Sequence, residues 1–273
     1  MRRLLPLFAL LLGACATPQN NYDPIEPVNR GIFAVNNAVD KAVLKPAAEA
    51  HEKYSPGPVK QGASNFFANI DDFFASFGAL LQGKGSEASH SMGRVMVNTT
   101  LGMFGLVDWA SDMGLKKSDE DIGQALGSWG MGSGPYLMMP LRGPTTLRDS
   151  SDMAVRFFAD PLDIWDGTQD LSTQVIRYGA WGIEQRRQLL PLDPLINAQA
   201  DPYAYIRDAY LQRRYFRVWD GNPPKPLQLG PTDEELDAMD AAKEQGAKAS
   251  TASAPAASAP ASIAASGVAE VAP

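Results

Sequence analysis

Glycine and methionine are concentrated in one apolar stretch, residues 92–148, which limits the possible folds more than any other feature of this chain. The stretch contains ten of the 24 glycines and seven of the ten methionines. Glycine permits tight turns and close backbone approaches, and methionine adapts to irregular apolar partners. The pattern is typical either of a tightly packed helical core or of a surface that holds a flexible hydrophobic ligand. The stretch has no histidine or cysteine, which disfavours acid–base catalysis there.

The amino terminus carries a targeting signal. Two arginines precede an apolar run at 4–12, which is too short to span a bilayer but has the length of a signal-peptide core. The run ends in Leu-Gly-Ala-Cys at 12–15, which resembles the lipobox of bacterial lipoproteins. We therefore expect a signal peptide at 1–14 and acylation of Cys15, the only cysteine. Ala16 follows it instead of an inner-membrane retention aspartate, which indicates the outer membrane.

Length and charge limit the class of protein. The 273 residues, 45% of them apolar, suffice for one large domain or two small ones. A formal net charge of −7 argues against nucleic acid as a partner, because phosphate binding needs clustered basic residues.

Residues 78–85 nearly match a phosphate-binding P-loop, but Gly85 replaces the final Ser or Thr. The segment also closes a helix, so we interpret it as a helix stop. No cofactor is expected.

Apolar periodicity and capping residues divide the chain into segments. A lipidated tether at 15–21 leads into a helical domain at 22–220. A Pro-rich linker at 221–231, an acidic helix at 232–245 and a disordered Ala/Ser/Pro-rich tail at 246–273 follow. The predicted helices of the main domain cover about 29–45, 58–81, 86–98, 106–113, 118–127, 146–159, 172–190 and 202–219. Asn29 is the expected cap of the first, Ser118 with Asp121 of the fifth, and Pro46 marks a kink or a break.

The helix predicted at 58–81 is rich in phenylalanine. Five of the eleven phenylalanines lie within twelve residues of it and produce a wide apolar face. Such a face suits a helix that lies in a membrane interface, although an ordinary core helix has the same pattern. The candidate membrane-facing residues are Phe66, Phe67, Phe73, Phe74 and Phe77.

Several motifs together resemble those of the MlaA (VacJ) family of outer-membrane lipoproteins. They occur in the expected order between about residues 22 and 219. The matching segments are Asp-Pro-Ile-Glu-Pro-Val-Asn-Arg at 23–30, Asn-Phe-Phe-Ala-Asn at 65–69, Leu-Leu-Gln-Gly-Lys at 80–84, Asn-Thr-Thr-Leu-Gly at 98–102, Glu-Asp-Ile-Gly-Gln at 120–124, the glycine-rich run at 127–136, and Arg-Asp at 148–149.

The resemblance implies an all-α fold, a single ring-shaped helical domain lying in the plane of the outer membrane and bound to a trimeric porin. It implies removal of misplaced phospholipids from the outer leaflet through an amphipathic channel, and their transfer to a soluble periplasmic carrier (MlaC-like). Two acyl chains of about 15 methylenes, at roughly 0.8 kcal/mol each, make unassisted desorption very slow.

Within that channel, the glycine-rich segment at 127–144 is the candidate moving part. Alternating glycines permit hinge motion, whereas a static buried turn would have the same composition. The candidate channel or hinge residues are Trp129, Gly130, Met131, Gly132, Gly134, Tyr136, Leu137, Met138 and Met139.

Four arginines of the last helix, Arg207, Arg213, Arg214 and Arg217, have two interpretations. They could meet lipid phosphates or a partner's acidic groups, or they could form an ordinary solvated face.

Two other functions remain open, an envelope phospholipase and a purely structural lipoprotein. The sequence has no Gly-x-Ser-x-Gly elbow, and neither of its two histidines, His51 and His90, has metal-ligand spacing to a second histidine or cysteine. We therefore predict a protein without catalytic or metal-binding residues.

Overall fold

Helices dominate the computed structural model, which describes residues 16–162, 171–231 and 235–237. The helices are α1 (Glu26–Val39), α2 (Lys45–Tyr54), α3 (Gly57–Leu81), α4 (Gly85–Thr100), α5 (Trp109–Asp112), α6 (Ile122–Ser128), α7 (Ser150–Phe158), α8 (Leu171–Leu189), α9 (Asp193–Asn197) and α10 (Pro202–Val218). The helical class predicted from the sequence is thereby confirmed. The predicted signal peptide, Cys15, most of the acidic helix and the tail at 246–273 lie outside the described residues.

Pro46 does not break the helix in which it lies. The chain passes from α1 to α2 through one wide π-helical turn, Asp40–Leu44, in which the Lys45 N–H donates to the Asp40 carbonyl five residues earlier. Proline has no N–H to donate to the preceding turn, and a wider turn accommodates that loss. The predicted kink or break therefore takes the form of a change in helical pitch.

Two predicted helices are shorter than the sequence suggested. The helix expected at 106–113 is only the single turn α5, because residues 101–107 form turns in which Met103 and Phe104 have positive φ angles. The helix expected at 118–127 begins at Ile122, and its cap is Asp121, whose carboxylate accepts from the Gln124 N–H. The prediction of Ser118 as the start of this helix was therefore wrong.

The segment at 78–85 is a helix stop, as expected. Helix α3 ends at Leu81, and Gly83 follows with a φ of 75°. The Lys84 ammonium, which a P-loop would direct at a nucleotide, instead lies 2.8 Å from Glu120 and also contacts Asp220.

A small antiparallel β-hairpin interrupts the helices, and the all-α prediction did not include it. Strand β1 (Tyr136–Met139) pairs with β2 (Gly143–Thr146), with Tyr136 opposite Thr146 and Met139 opposite Gly143. Strands this short carry too few residues for alternation to distinguish them from a loop.

Two asparagines of α1 attach this hairpin to the helix. The buried Asn29 amide donates to the Tyr136 carbonyl at 3.0 Å and accepts from the Met138 N–H at 2.9 Å. Seven residues later, Asn36 donates to the Met139 carbonyl and accepts from the Leu141 N–H. Helix α1 therefore satisfies the free edge of β1 as a third strand would. The predicted capping role of Asn29 was wrong, since Ile25 occupies the cap position.

The hairpin contributes to the hydrophobic core. Tyr136 and Met138 are 0% and 3% exposed and pack with Tyr203 and Leu211 of α10. Leu227 and Leu229 also pack against this cluster, and the Gly230 N–H donates to the Pro18 carbonyl. The segment predicted as a Pro-rich linker is thus packed on the helical unit up to Gly230, where a second unit of the chain begins.

We expect two glycine-to-alanine changes within helices to have opposite effects. A Cβ at Gly78 of α3 would lie 2.7 Å from the Asp121 backbone, whereas a Cβ at Gly179 of α8 meets nothing within 4 Å. Gly78→Ala should destabilise by about 1–3 kcal/mol, because overpacking exceeds the gain in helix propensity. Gly179→Ala should stabilise by up to about 1 kcal/mol. Urea unfolding of the two variants tests this, and equal unfolding midpoints would contradict the close approach.

Candidate functional site

A buried ionic centre lies where three segments meet. The Arg214 guanidinium of α10 donates to both oxygens of Asp121, the cap of α6, and to both oxygens of Asp149, the residue before α7. The Tyr210 hydroxyl donates to Asp149 at 3.0 Å, and Arg148 donates to the same carboxylate. Charged side chains are stable in a protein interior only when they are paired and hydrogen-bonded in this way.

The ionic centre controls the charge of its two acids. Burial alone would raise the pKa of Asp121, but hydrogen bonds and positive charge from Arg214, with hydrogen bonds from Gln124, hold that pKa well below its usual range. Burial opposes Arg214 in the same way at Asp149, whose pKa is also lowered. Both carboxyl groups are therefore ionised at neutral pH.

Glycine at position 123 is required for this packing. A Cβ there would lie 2.6 Å from an Asp149 carboxylate oxygen and 2.9 Å from an Arg214 nitrogen. Part of the glycine content of the 92–148 stretch thus serves close helix contacts, which is the core interpretation of that stretch.

Neither of the two interpretations offered from the sequence describes all four arginines of α10. Arg207 is buried with Asp208 at 2.8 Å and Glu26 at 3.3 Å, and Arg214 belongs to the ionic centre. Arg217 lies 3.2 Å from Asp119. Only Arg213 has no carboxylate partner among the described residues, and it is exposed. Periodicity could not reveal these pairs, because the acids come from distant segments.

Three hollows surround the ionic centre and the hairpin. The loop cavity, of about 330 Å³, is lined among others by Gly130, Met131, Gly132, Arg148, Arg214 and Leu227. The hairpin cavity, of about 280 Å³, is lined among others by Met139, Arg142, Asp149, Trp181, Tyr210 and Arg213. The aromatic pocket, of about 70 Å³, is lined among others by Phe67, Ile70, Phe74, Arg142, Arg156 and Trp181. Each hollow has both charged and apolar walls.

The candidate channel or hinge residues do not share one location. Gly130, Met131 and Gly132 line the loop cavity, and Met139 lines the hairpin cavity. Tyr136 and Met138 belong to the core, so this part of the candidate channel or hinge segment is a packed strand.

The remaining candidates of this group lie beside the loop. Leu137 is half-buried on β1, and Gly134 has a φ of 66° close to Leu147. Trp129 lies at the surface, where its indole N–H donates to the Leu81 carbonyl at the end of α3.

The phenylalanines of α3 divide into two groups. Phe74 is 3% exposed and lies under the Arg156 guanidinium, 4.6 Å from its ring centroid, so it cannot face a membrane as predicted. Phe66, Phe67 and Phe73 are half-buried, and Phe77 is exposed. Sequence periodicity could not show that Phe74 is buried and Phe73 only half-buried, because the apolar face of α3 is wider than the part of it that packs against the rest of the protein.

The turn at 101–109 exposes the densest run of large apolar side chains. Asn65 of α3 fixes this turn by donating to the Leu106 carbonyl at 3.0 Å. Phe104 at its tip is 66% exposed. The exposed apolar residues of the turn are Leu101, Met103, Phe104, Leu106, Val107 and Trp109. No helix among the described residues has both the length and the apolarity needed to cross a bilayer.

One group of side chains resembles a hydrolase triad in composition. His51 Nδ1 lies 2.7 Å from the Ser55 hydroxyl, and its Nε2 lies 3.5 Å from Glu184. Arg187, Gln188 and Ser64 already donate to Glu184. The group lies outside the three hollows, and the described residues contain no cluster of three or more His, Cys, Asp or Glu placed to hold a metal ion.

Charges paired in the interior and large apolar side chains at the surface are typical of a helical protein that associates with lipid. Sequence comparison agrees with that class. The family model described as MlaA lipoprotein matches residues 21–217. The chain belongs to the MlaA lipoprotein family.

Individual relatives extend the match. The intermembrane phospholipid transport system lipoprotein MlaA of Escherichia coli (strain K12) is 36% identical over 236 residues, covering 82% of this chain and 90% of the relative. The protein of that name from Haemophilus influenzae is 29% identical, covering 85% and 96%. A solved structure described as "Structural basis for maintenance of bacterial outer membrane lipid asymmetry" has a TM-score of 0.63 at 33% identity, covering 73% of this chain and 99% of its own.

Removing Arg214 should reverse the response of stability to acid. In the unmodified chain the lowered pKa values of Asp121 and Asp149 favour folding above the unfolded pKa of about 4, and this contribution is lost as pH falls through the folded pKa values. In Arg214→Met the two buried acids lack that partner, which costs about 3–5 kcal/mol at pH 7, and protonation on acidification relieves the cost.

Urea unfolding between pH 7 and pH 4 measures this difference. Arg217→Met, which removes a pair with the exposed Asp119, is the control and should cost less than about 1 kcal/mol. A normal acid response in Arg214→Met would contradict the role given to the ionic centre.

Proposed function

We propose that this protein removes phospholipids from the outer leaflet of the outer membrane and passes them through its interior to a soluble periplasmic carrier. The observation that carries the proposal is the mixed wall of the hollows, where arginines and aromatic rings lie side by side. A phospholipid needs both kinds of surface at once, since its headgroup is charged and its tails are apolar. The relatives described as phospholipid transport lipoproteins support the same function.

The physical task is to lower a desorption barrier. Two acyl chains of about 15 methylenes each, at roughly 0.8 kcal/mol per methylene, give a barrier above 20 kcal/mol. Escape over such a barrier is slower than once per minute, even before rejoining the bilayer is considered. An interior with apolar walls for the tails and charged, wet walls for the headgroup stands in for the bilayer core and for water, respectively, and so lowers the barrier.

Separate parts of the chain anchor the protein to the membrane and contact the lipid or the porin. The signal peptide at 1–14 is removed, and acyl chains on Cys15 hold the mature protein at the outer membrane. The exposed turn at 101–109 and the faces of Phe66, Phe67, Phe73 and Phe77 lie against lipid or against the trimeric porin. The family resemblance and the exposed apolar residues support this arrangement.

The loop at 129–135 is the moving part that widens the interior. Its Gly130 and Met131 N–H groups donate to carbonyls at the end of α6, and on the other side Arg148 donates from its N–H to the Ser133 carbonyl and from its guanidinium to the Met131 carbonyl. A Cβ at Gly130 or Gly132 would meet nothing within 4 Å. The open space at these glycines supports motion of this loop rather than of the packed strand β1.

We expect intact phospholipid to move from bilayer to carrier in a reconstituted assay. The lipidated protein is placed with its porin in vesicles containing radiolabelled phosphatidylglycerol, and a soluble MlaC-like carrier is the acceptor. Labelled intact lipid should accumulate on the carrier. Release of lysophospholipid would indicate a phospholipase instead, and absence of both products would indicate a structural lipoprotein.

We also expect Gly132→Ala to slow transfer without unfolding the protein. Gly132 has an ordinary φ and open space, so alanine should change stability little while it restricts the backbone of the loop. Gly130 and Gly134 have positive φ angles, so alanine there would mix strain with restriction. Transfer should fall several-fold in Gly132→Ala and remain normal in Gly31→Ala, where an added Cβ also meets nothing. Normal transfer in both variants would refute the hinge.

A further inference from the structure

Arg142 occupies an unusual position between the two strands of the hairpin. Its guanidinium lies over the Trp181 ring of α8, 5.0 Å from the ring centroid. Arg142 and Trp181 line both the hairpin cavity and the aromatic pocket, so they form the wall at which these two hollows meet. The Arg142 side chain remains accessible there.

Among the described residues, the Arg142 guanidinium donates to no hydrogen-bond acceptor and forms no ion pair with a carboxylate. Its neighbour Arg156 differs, because it lies 2.7 Å from both Asp71 and Asp152. Burial lowers the pKa of Arg142, and repulsion from Arg156 lowers it further. The more distant charges of Asp152 and Asp71 oppose that lowering, but no acid among the described residues forms an ion pair with Arg142, so its five donors remain available to a ligand.

The acids that line the two hollows are all paired with other arginines. Arg156 forms ion pairs with Asp71 and Asp152, and Arg214 of the ionic centre forms ion pairs with Asp121 and Asp149. Asp160 lies 3.9 Å from Arg177. Four arginines and three aspartates line the hairpin cavity, so its walls carry a net positive charge, and this charge attracts an anion.

We propose that Arg142, held by Trp181, binds the phosphate of a phospholipid as the lipid passes through the interior. The inference rests on the proposed function and adds a binding site to it. A guanidinium matches two phosphate oxygens at once, which an ammonium cannot do. Stacking on the indole fixes the plane of the guanidinium and leaves its edge free for those two bonds.

The dimensions and lining of the site agree with a headgroup rather than a whole lipid. A volume of about 280 Å³ lies just below the range of roughly 300–1,000 Å³ found for small-molecule sites. On the far side of Arg142, the aromatic pocket offers Phe67, Ile70 and Phe74. The phosphate would lie at Arg142 while the first methylenes of the tails contact these rings.

Lipid retention by charge variants tests the site. The full-length lipidated protein and its Arg142→Ala, Arg142→Lys and Arg142→Glu variants are purified in detergent and equilibrated with phosphatidylglycerol, and bound lipid is counted by native mass spectrometry. We expect affinity to fall at least about tenfold in Arg142→Ala and further in Arg142→Glu, with partial retention in Arg142→Lys. Lys53→Glu is the charge-matched control, because Lys53 stacks on Tyr54 at an exposed surface, and it should bind normally.

A competition experiment distinguishes binding of a lipid phosphate from binding of a free phosphate. Inorganic phosphate and glycerophosphoglycerol, each at millimolar concentration, should compete weakly with lipid, because they lack the tails. Unchanged lipid binding in Arg142→Ala and Arg142→Glu would overturn the proposal while leaving transfer by the unmodified chain intact. Arg142-dependent binding of inorganic phosphate without any effect on lipid would also overturn it. Failure of the unmodified chain to bind or transfer lipid would instead contradict the proposed function.

Discussion

The ionic centre, in which Arg214 pairs with Asp121 and Asp149, is the interaction that holds the helical unit together. It joins α10 to the starts of α6 and α7, segments that are far apart in the sequence. Arg214 also lines both the loop cavity and the hairpin cavity, so the side chain that joins the helices also forms part of the wall of both. Apolar residues in place of all three charged side chains could fill the core equally well, but they would remove charge from the walls of both cavities.

The distribution of polar and apolar groups follows from this arrangement. Carboxylates and arginines satisfy each other inside, at Arg94 with Asp72 and at Arg207 with Glu26. Asparagines attach the non-helical segments, Asn29 and Asn36 the hairpin and Asn65 the turn at 101–109. Large apolar side chains lie both in the core and at the surface, and the exposed ones agree with the proposed contact with lipid.

Much of this fold could be predicted from sequence, but the pairing of polar side chains from distant segments could not. Helix α3, its stop at Gly83 and the cap of α10 at Asp201 follow from local rules of periodicity and capping. The motifs that indicate the family are also local. The hairpin partners of Asn29 lie more than a hundred residues away, and the partners of Arg214 lie 65 and 93 residues away, so local rules gave each a capping or surface role. Arg142 follows a short strand in a Pro-Leu-Arg-Gly turn, where nothing nearby signals a binding residue.

In the proposed transport, lipid enters the interior of the protein instead of remaining at the outer apolar surface. Site-specific photo-crosslinking to phospholipid in the membrane tests it most directly, with the reactive side chain at Met139 or Met153 of the hairpin cavity, at Phe104 of the exposed turn, or at the solvent-exposed Tyr54. The account predicts diacyl-lipid adducts from both cavity positions and from Phe104, and none from Tyr54. Adducts from Phe104 alone, in a protein that still transfers lipid, would contradict it.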